Sequence, residues 1–439
     1  MKKYFISGAM LAGLMSLAAC SNDEGVVADN NGAEQQFTIT LASSGDRATR
    51  AAADRTLESE AADQSIEKVT LVVRSQDDGE DKNKVVYIHT LDNWNGTATD
   101  DTNGHGKKLT FTIPKADKLG AGSYVVTAVG YNEGNYTLSL PNKGDVVDKN
   151  ITATTPTGAE AKEVFAGEQK FNVTADKKIE GTDASKAIQS VDVTLHRQVA
   201  GAYGYFTSIP VKIGDTEVAS IRMVSRSKNT VLTFGSFNSS FTTTDAHVMY
   251  MVNGSVPATK TAKFLNGDEA NVLFSAQITD WFPGGDENKD GVYDKKDTNW
   301  TNPYTTGSYL KGSVFASNFI VPFSATQGKS TLELQLLDAT GNVLYAWPVK
   351  LDASNDQISK TGETASADLF GAGTAMGFAE TADVFSLFRN HIYSIGIHKQ
   401  RPETPVPGTD QPTDLSKIQN VVIRVNDNWE ALHHMSIDE

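Results

Sequence analysis

Three groups of residues in this chain have types and spacings that invite chemistry. The first is Cys20, the sole cysteine among 439 residues. It ends the run Leu17-Ala18-Ala19-Cys20, behind an apolar stretch from Tyr4 that follows Lys2 and Lys3. A charged start, an apolar middle and small residues before the end are the pattern of a cleaved secretory signal. With a cysteine at the cut, the signal is a lipobox: a peptidase cuts before Cys20 and the thiol takes a diacylglyceryl chain. Residues 1–19 are then signal peptide. Tyr4 to Ala19 falls short of the ~20 apolar residues a membrane span needs. Export and a lipid tether at the cell envelope are expected.

The second group is Arg47, Arg50 and Arg55, inside a segment from Ser43 that is polar and has no apolar period. Such a segment is exposed and open to proteolysis. Cutting after an arginine in this segment would release whatever lies ahead of it.

The third group is acidic. Asp286, Asn288, Asp290, Val292, Asp294 and Asp297 fit the D-x-N-x-D-G loop of cation sites, with Gly291 at the sixth position for the sharp turn. Five side chains and the Val292 carbonyl offer oxygens to a hard cation, so a structural calcium ion is expected, and no other cofactor. Asp at the last position is shorter than the usual Glu and weakens the shell. The flanks read as strand and loop, and the bland reading is a solvated acidic turn.

No enzyme is expected. Gly371 to Gly377 has the wrong spacing for a dinucleotide loop. His433 and His434 have no zinc-ligand pattern around them, and no nucleophile elbow occurs. A net charge of -15 and a pI near 5.0 disfavour nucleic acid and anionic lipid surfaces as partners. With Cys20 lipidated no thiol remains for a disulfide.

The elements that must hold these groups are strands. Residues 21–34 read as a polar tether. In Gln36 to Leu41, Phe37, Ile39 and Leu41 alternate with polar residues, giving one apolar face. Further strands are expected at 69–74, 85–90, 109–113, 124–131, 191–195, 230–234, 248–252, 272–278, 331–337, 343–351 and 391–398. Short strands at this spacing, without βαβ alternation, indicate all-β sandwiches with few short helices. Residues 401–412 carry four prolines and form a semi-rigid linker. Beyond it lies one more strand, with Val421, Ile423, Val425 and Trp429 at one parity.

The first and last strands share an i, i+2, i+4 apolar pattern. Both fit one groove in turn: cutting after an arginine would free the leader strand, and the C-terminal strand of a neighbour would enter by β-augmentation. Donor and slot lie on different copies, so the contact is head-to-tail and open-ended. Three buried apolar side chains contribute on the order of 2 kcal/mol each, which gives roughly tens-of-micromolar affinity. A durable fibre also needs Trp429, Leu432 and the backbone ladder. The same pattern fits two ordinary edge strands paired within one monomer.

In this order, several pieces together resemble the Bacteroidales fimbrillins, subunits of type V fimbriae. They are the lipobox at Cys20, the acidic run Asp23-Glu24 behind it, the leader strand from Phe37, Arg50-Ala51, Ile66 to Val73, Leu195 to Ala200, Arg389 to Ile395, and Val421 to Trp429. The resemblance implies two transthyretin-like β-sandwiches in tandem, at 51–199 and 200–400. Ahead of them stands a lipidated propeptide over 20–50, and behind them a linker and donor strand over 401–439. It implies export to the outer membrane, display at the surface, and strand exchange with other fimbrial subunits in an adhesive stalk. It also implies an arginine-specific or trypsin-like protease as partner, cutting after Arg50, which follows the leader strand and precedes Ala51, with Arg47 and Arg55 as alternatives. The acidic loop maps onto no shared feature of that family. The other readings are a non-polymerising anchor or tip, or a glycan-binding lipoprotein using exposed aromatics such as Trp281, Trp300 or Tyr304.

Overall fold

The computed structural model describes residues 35–41, 66–100, 107–154, 161–180, 190–234, 259–260, 271–351, 391–398, 412–416, 431–432 and 435–437, apart from 133, 135, 148–150, 226, 229, 305–307, 323–331 and 397. The first ten strands are β1 Gln36–Leu41, β2 Lys68–Ser75, β3 Val85–Leu91, β4 Thr99–Asp100, β5 Lys107–Thr112, β6 Gly122–Tyr131, β7 Thr137–Ser139, β8 Ile151–Thr154, β9 Phe165–Val173 and β10 Ser190–Arg197. Then come β11 Ala200–Thr207, β12 Ile209–Pro210, β13 Lys212–Ile213, β14 Thr216–Glu217, β15 Ser220–Ser225, β16 Ser227–Lys228, β17 Val231–Phe234, β18 Thr259–Lys260 and β19 Asn271–Gln277. The last eight are β20 Val292–Tyr293, β21 Ser313–Ile320, β22 Leu332–Leu337, β23 Val343–Leu351, β24 His391–Ile395, β25 Thr413–Asp414, β26 Ala431–Leu432 and β27 Met435–Ile437.

The largest sheet runs β3-β2-β6-β9-β10-β1-β5-β4. It folds over at one corner, because β9 and β10 share only two pairs, His196 with Ala166 and Arg197 with Phe165. One layer is β10-β1-β5-β4 and the other β3-β2-β6-β9. Phe37, Ile39, Val191, Val193 and Leu195 from the first layer meet Val69, Leu71, Val73, Val126 and Ala128 from the second in one buried cluster. At the open seam His89 of β3 stacks on Phe111 of β5, centroids 4.2 Å apart, so the ends of the sheet meet. Gly167 sits where β9 passes β10. A Cβ there would stand 1.9 Å from the Thr194 carbonyl oxygen, so only glycine permits the approach.

Two five-stranded sheets follow. One is β21-β11-β24-β26, with β25 also on β11, and the other is β19-β15-β22-β23-β27. Between them lies a second cluster that includes Tyr205, Phe206, Met223, Phe274 and Leu334. That cluster also takes Val72, Val129 and Ala166 from the other face of the first sheet. β2 and β6 therefore bury both faces, which explains their continuous apolar runs. A three-stranded sheet, β17-β8-β7, draws strands from both sides of residue 199.

Most expected strands appear within a residue or two. Ile278 is an exception. It opens a helical turn, Ile278–Trp281, so a helix and not a strand precedes the acidic loop. Residues 248–252 lie outside the described residues. β9, β11, β15 and β21 were not expected from the sequence pattern.

Candidate functional site

The leader strand β1 is an interior strand. It pairs parallel with β10 in the register Gln36 to Ser190 through Leu41 to Leu195. On its other side it pairs antiparallel with β5, Gln36 to Thr112 through Thr40 to Lys108. Alternation places Phe37 and Ile39 on the core face, both fully buried. Phe37 meets Phe171 edge-on at 5.5 Å. On the opposite face the Thr38 and Thr110 hydroxyls are 3.2 Å apart.

Gln35, which the sequence pattern gave no reason to single out, locks the start of this strand. Its side chain is fully buried. Its Nε2 donates to the carbonyls of Leu119 at 2.9 Å and Lys177 at 3.0 Å, and its Oε1 accepts from Leu119 N at 2.8 Å. A buried amide with both ends satisfied fixes register. The only available signal was a polar residue just before an alternating run, which reads equally as solvent-exposed.

Without β1, the β5-β4 pair has no ladder to the rest of the sheet. The stacking of Phe111 on His89 and Tyr87 would remain. Burial holds the His89 imidazole below its ordinary 6.5, against the opposite pull of Asp92 and Asp117. The folded chain thus takes up this proton less readily than the unfolded chain. Stability is full above about 6.5 and declines as pH falls from there through the lower folded-state value. His89→Gln is expected to flatten that part of the profile. Melting temperatures of the two proteins from about pH 7 to about pH 5 check it; parallel profiles would remove His89 from the account.

Cys20, Arg47, Arg50 and Arg55 lie outside the described residues, as do Val421, Ile423, Val425 and Trp429. The chain is described again at β26, beside β24, and β27, beside β23. No helix among the described residues is long and apolar enough to cross a membrane.

The acidic loop is tightly folded. Gly291 N donates to Asp286 Oδ2 at 2.9 Å, Asp290 N to Asn288 Oδ1 at 2.8 Å, and Val292 N to Asp290 Oδ1 at 3.2 Å. Gly291 has φ +88, the left-handed conformation the turn requires. Asp297 is fully buried and accepts from Glu287 N and Asp294 N, both at 3.0 Å. Lys296 Nζ lies 2.5 Å from Asp290 Oδ2 and 3.6 Å from Asp294 Oδ2. Its hydrogen bond holds the Asp290 carboxyl below the usual range. Asp286 Oδ1 is buried and accepts no hydrogen bond. Among the described residues, no three His, Cys, Asp or Glu side chains converge on one metal position. Val292 pairs with Pro210 in the β12-β20 ladder.

Of the aromatics expected on the surface, Trp281 is 1% exposed and packs against Trp300, Tyr304 and Tyr309. It is a core residue. Trp300 and Tyr304 are half-buried, and the Trp300 indole donates to the Ser313 carbonyl at 2.7 Å.

No family model matches the chain, and no curated protein matches its sequence. Solved structures similar to it include a candidate adhesin from Bacteroides thetaiotaomicron, 11% identical over 92% of this chain and 97% of that one, with a TM-score of 0.42. Another is a fimbrial assembly protein from Parabacteroides distasonis, 10% identical over 92% and 99%, TM-score 0.38. A third is the tip fimbrial protein Mfa3 from Porphyromonas gingivalis, 11% identical over 90% and 99%, TM-score 0.35.

Proposed function

We propose that this chain is a structural stalk subunit of an adhesive surface fimbria. It is exported as a lipoprotein on Cys20, held at the outer membrane, cut after Arg50 and joined head-to-tail by strand exchange. One observation carries the reading: β1 is an interior strand whose chain runs on directly into the arginine-bearing segment. Loss of an edge strand would cost a sheet little. Loss of this one opens a slot flanked by β10 and β5, floored by Phe171, that only another alternating strand fills. The segment carrying Val421, Ile423, Val425 and Trp429 has the pattern to fill it. In this reading 51–199 and 200–400 are the two sandwiches of the mature subunit, with the polypeptide passing between them at Gln198-Val199.

Electron microscopy of the ectodomain from Ser21 onward, before and after limited trypsin, tests the proposal. Filaments are expected only after a cut near Arg50. Deletion of everything after Ser416, which keeps the buried Leu415 and removes only the short edge strands β26 and β27 from the described sheets, is expected to abolish them while the rest of the monomer stays folded. Filaments from the truncated protein, or from uncut protein, would overturn strand exchange.

We also propose that the acidic loop takes a divalent cation of calcium type, with Asp286 Oδ1 turned to the ion and the Lys296 ammonium displaced. Support comes from the oxygen spacing, the left-handed Gly291 and the unpaired buried oxygen. The ion would stiffen the loop and do no chemistry. A cation at a hundredfold excess over its dissociation constant stabilises by about 2.7 kcal/mol. Calcium is therefore expected to raise the melting temperature, and Asp286→Ala to abolish the rise. An unchanged melting temperature in the unsubstituted protein across millimolar calcium would dismiss the site.

A further inference from the structure

Among the described strands, parallel pairing is confined to one line. The parallel pairs among them are β1 with β10, β11 with β24, β11 with β25, and β24 with β26. All other pairs are antiparallel. A parallel pair demands a long crossover and is slightly weaker per residue, so its placement calls for a reason.

β10 and β11 are almost one strand, separated by Gln198 and Val199 alone. The joint is firmly held. Gln198 N donates to the Val164 carbonyl at 2.8 Å, and its side chain reaches the Ala166 carbonyl. Arg197 is buried in an ion pair with Glu163 and lies over the Phe165 ring. A continuous backbone therefore links the ladder holding β1 to the ladder holding β24 and β25.

Strand direction decides how these ladders respond to tension. A strand lying parallel to β10, pulled from its own N-terminal end while β10 is pulled onward through β11, slides lengthwise. All its ladder bonds are then loaded together. Pulling both strands from the same end would instead peel the bonds one at a time. β1 has six register partners on β10 and five on β5, so the sliding geometry loads two ladders at once. The second ladder shares the direction but is shorter: β11 is held from its N-terminal end, and β25, paired to it through Thr413 and Asp414, leads onward toward the C-terminus.

We propose that the line β1/β10–β11/β25 is a tension-bearing shear clamp. Its natural load is the pull between the N-terminal lipid tether, or a donor strand seated in the same direction, and the C-terminal segment. The source of the load rests on the function proposed above, whereas the clamp is a property of the single chain. Its mechanical role is to hold a surface protein together under flow.

Single-molecule pulling of the uncleaved ectodomain tests this with three pairs of handles. Handles at the N-terminus and at the exposed Asp215 shear β1 along β10. Handles at Ser44 and Asp215 peel β1 from its C-terminal end. Handles at the N-terminus and Ser416 load both ladders in series. The first pair is expected to rupture at a severalfold higher force than the second, at one pulling speed, and the third to fall between them, because β25 has two register partners on β11 against six for β1 on β10. Equal forces for the first two pairs would overturn the clamp. A third pair yielding at the peeling force would overturn the series path. No residue inside either ladder is changed, so misfolding does not confuse the result. Filaments play no part in it, so the clamp and the strand-exchange reading fail separately.

Discussion

Phe37→Ala is expected to lower the stability of the uncleaved chain by about 3–5 kcal/mol, the usual cost of emptying a buried phenylalanine site. Phe37 is fully buried, its edge against Phe171, and its strand lies between two others. The surroundings have little room to collapse, because both neighbouring strands are fixed by their own ladders. Urea unfolding measures the loss. If the chain is cut after Arg50, as proposed, the same substitution reaches further. After cleavage the leader strand is held by non-covalent contacts alone, so the lost energy appears in how fast it leaves. Every 1.4 kcal/mol is about tenfold, so release is expected to quicken by roughly 100- to 4,000-fold, with filaments appearing sooner. A variant that unfolds like the parent, or that polymerises no faster after the cut, would show that β1 is not what occupies the slot.

Glu163→Ala is expected to cost a similar amount, about 3–5 kcal/mol, for a different reason. The Arg197 guanidinium contacts Glu163 through two nitrogens, at 2.6 Å from Nε and 2.5 Å from Nη2, and both side chains are almost wholly buried. Removing the carboxylate takes away the charge that meets two nitrogens of this buried cation in the corner where β9 meets β10. The pair itself contributes far less than that penalty, since burying two charges offsets most of their attraction. Replacing both residues, as Glu163→Leu with Arg197→Met, is therefore expected to recover most of the stability. Urea midpoints of the single and double variants decide it. A single variant within about 1 kcal/mol of the parent would mean the corner is solvated.

The sequence made some of this architecture plain and hid the rest for physical reasons. β1 and β10 alternate because each shows one face to the core and one to a polar neighbour, so Phe37/Ile39 and Val191/Val193 stand out. β11 reads Ala-Gly-Ala-Tyr-Gly-Tyr-Phe-Thr and is buried on both faces. It has no alternation, and its glycines suggest a turn, although it is the central strand of its sheet. β9 loses its period where its first three residues are all buried. The leader strand was legible as a strand, but its interior place was not. That depends on β10, which the pattern of residues 36–41 cannot reveal. The acidic loop was legible because its spacing is local. The burial of Trp281 was not, because it follows from long-range packing against Tyr304 and Tyr309.

The β17-β8-β7 sheet bears on the order of events during synthesis. β8 offers Ile151 and Ala153, both buried, to partners roughly 80 residues further along the chain, where Leu232 and Phe234 complete the contact. A chain emerging N-terminus first exposes this apolar edge until β17 arrives. During that interval the edge is a template for any other strand nearby. Helpers that shield nascent chains would find purchase here, and so would misassembly if the second half were delayed.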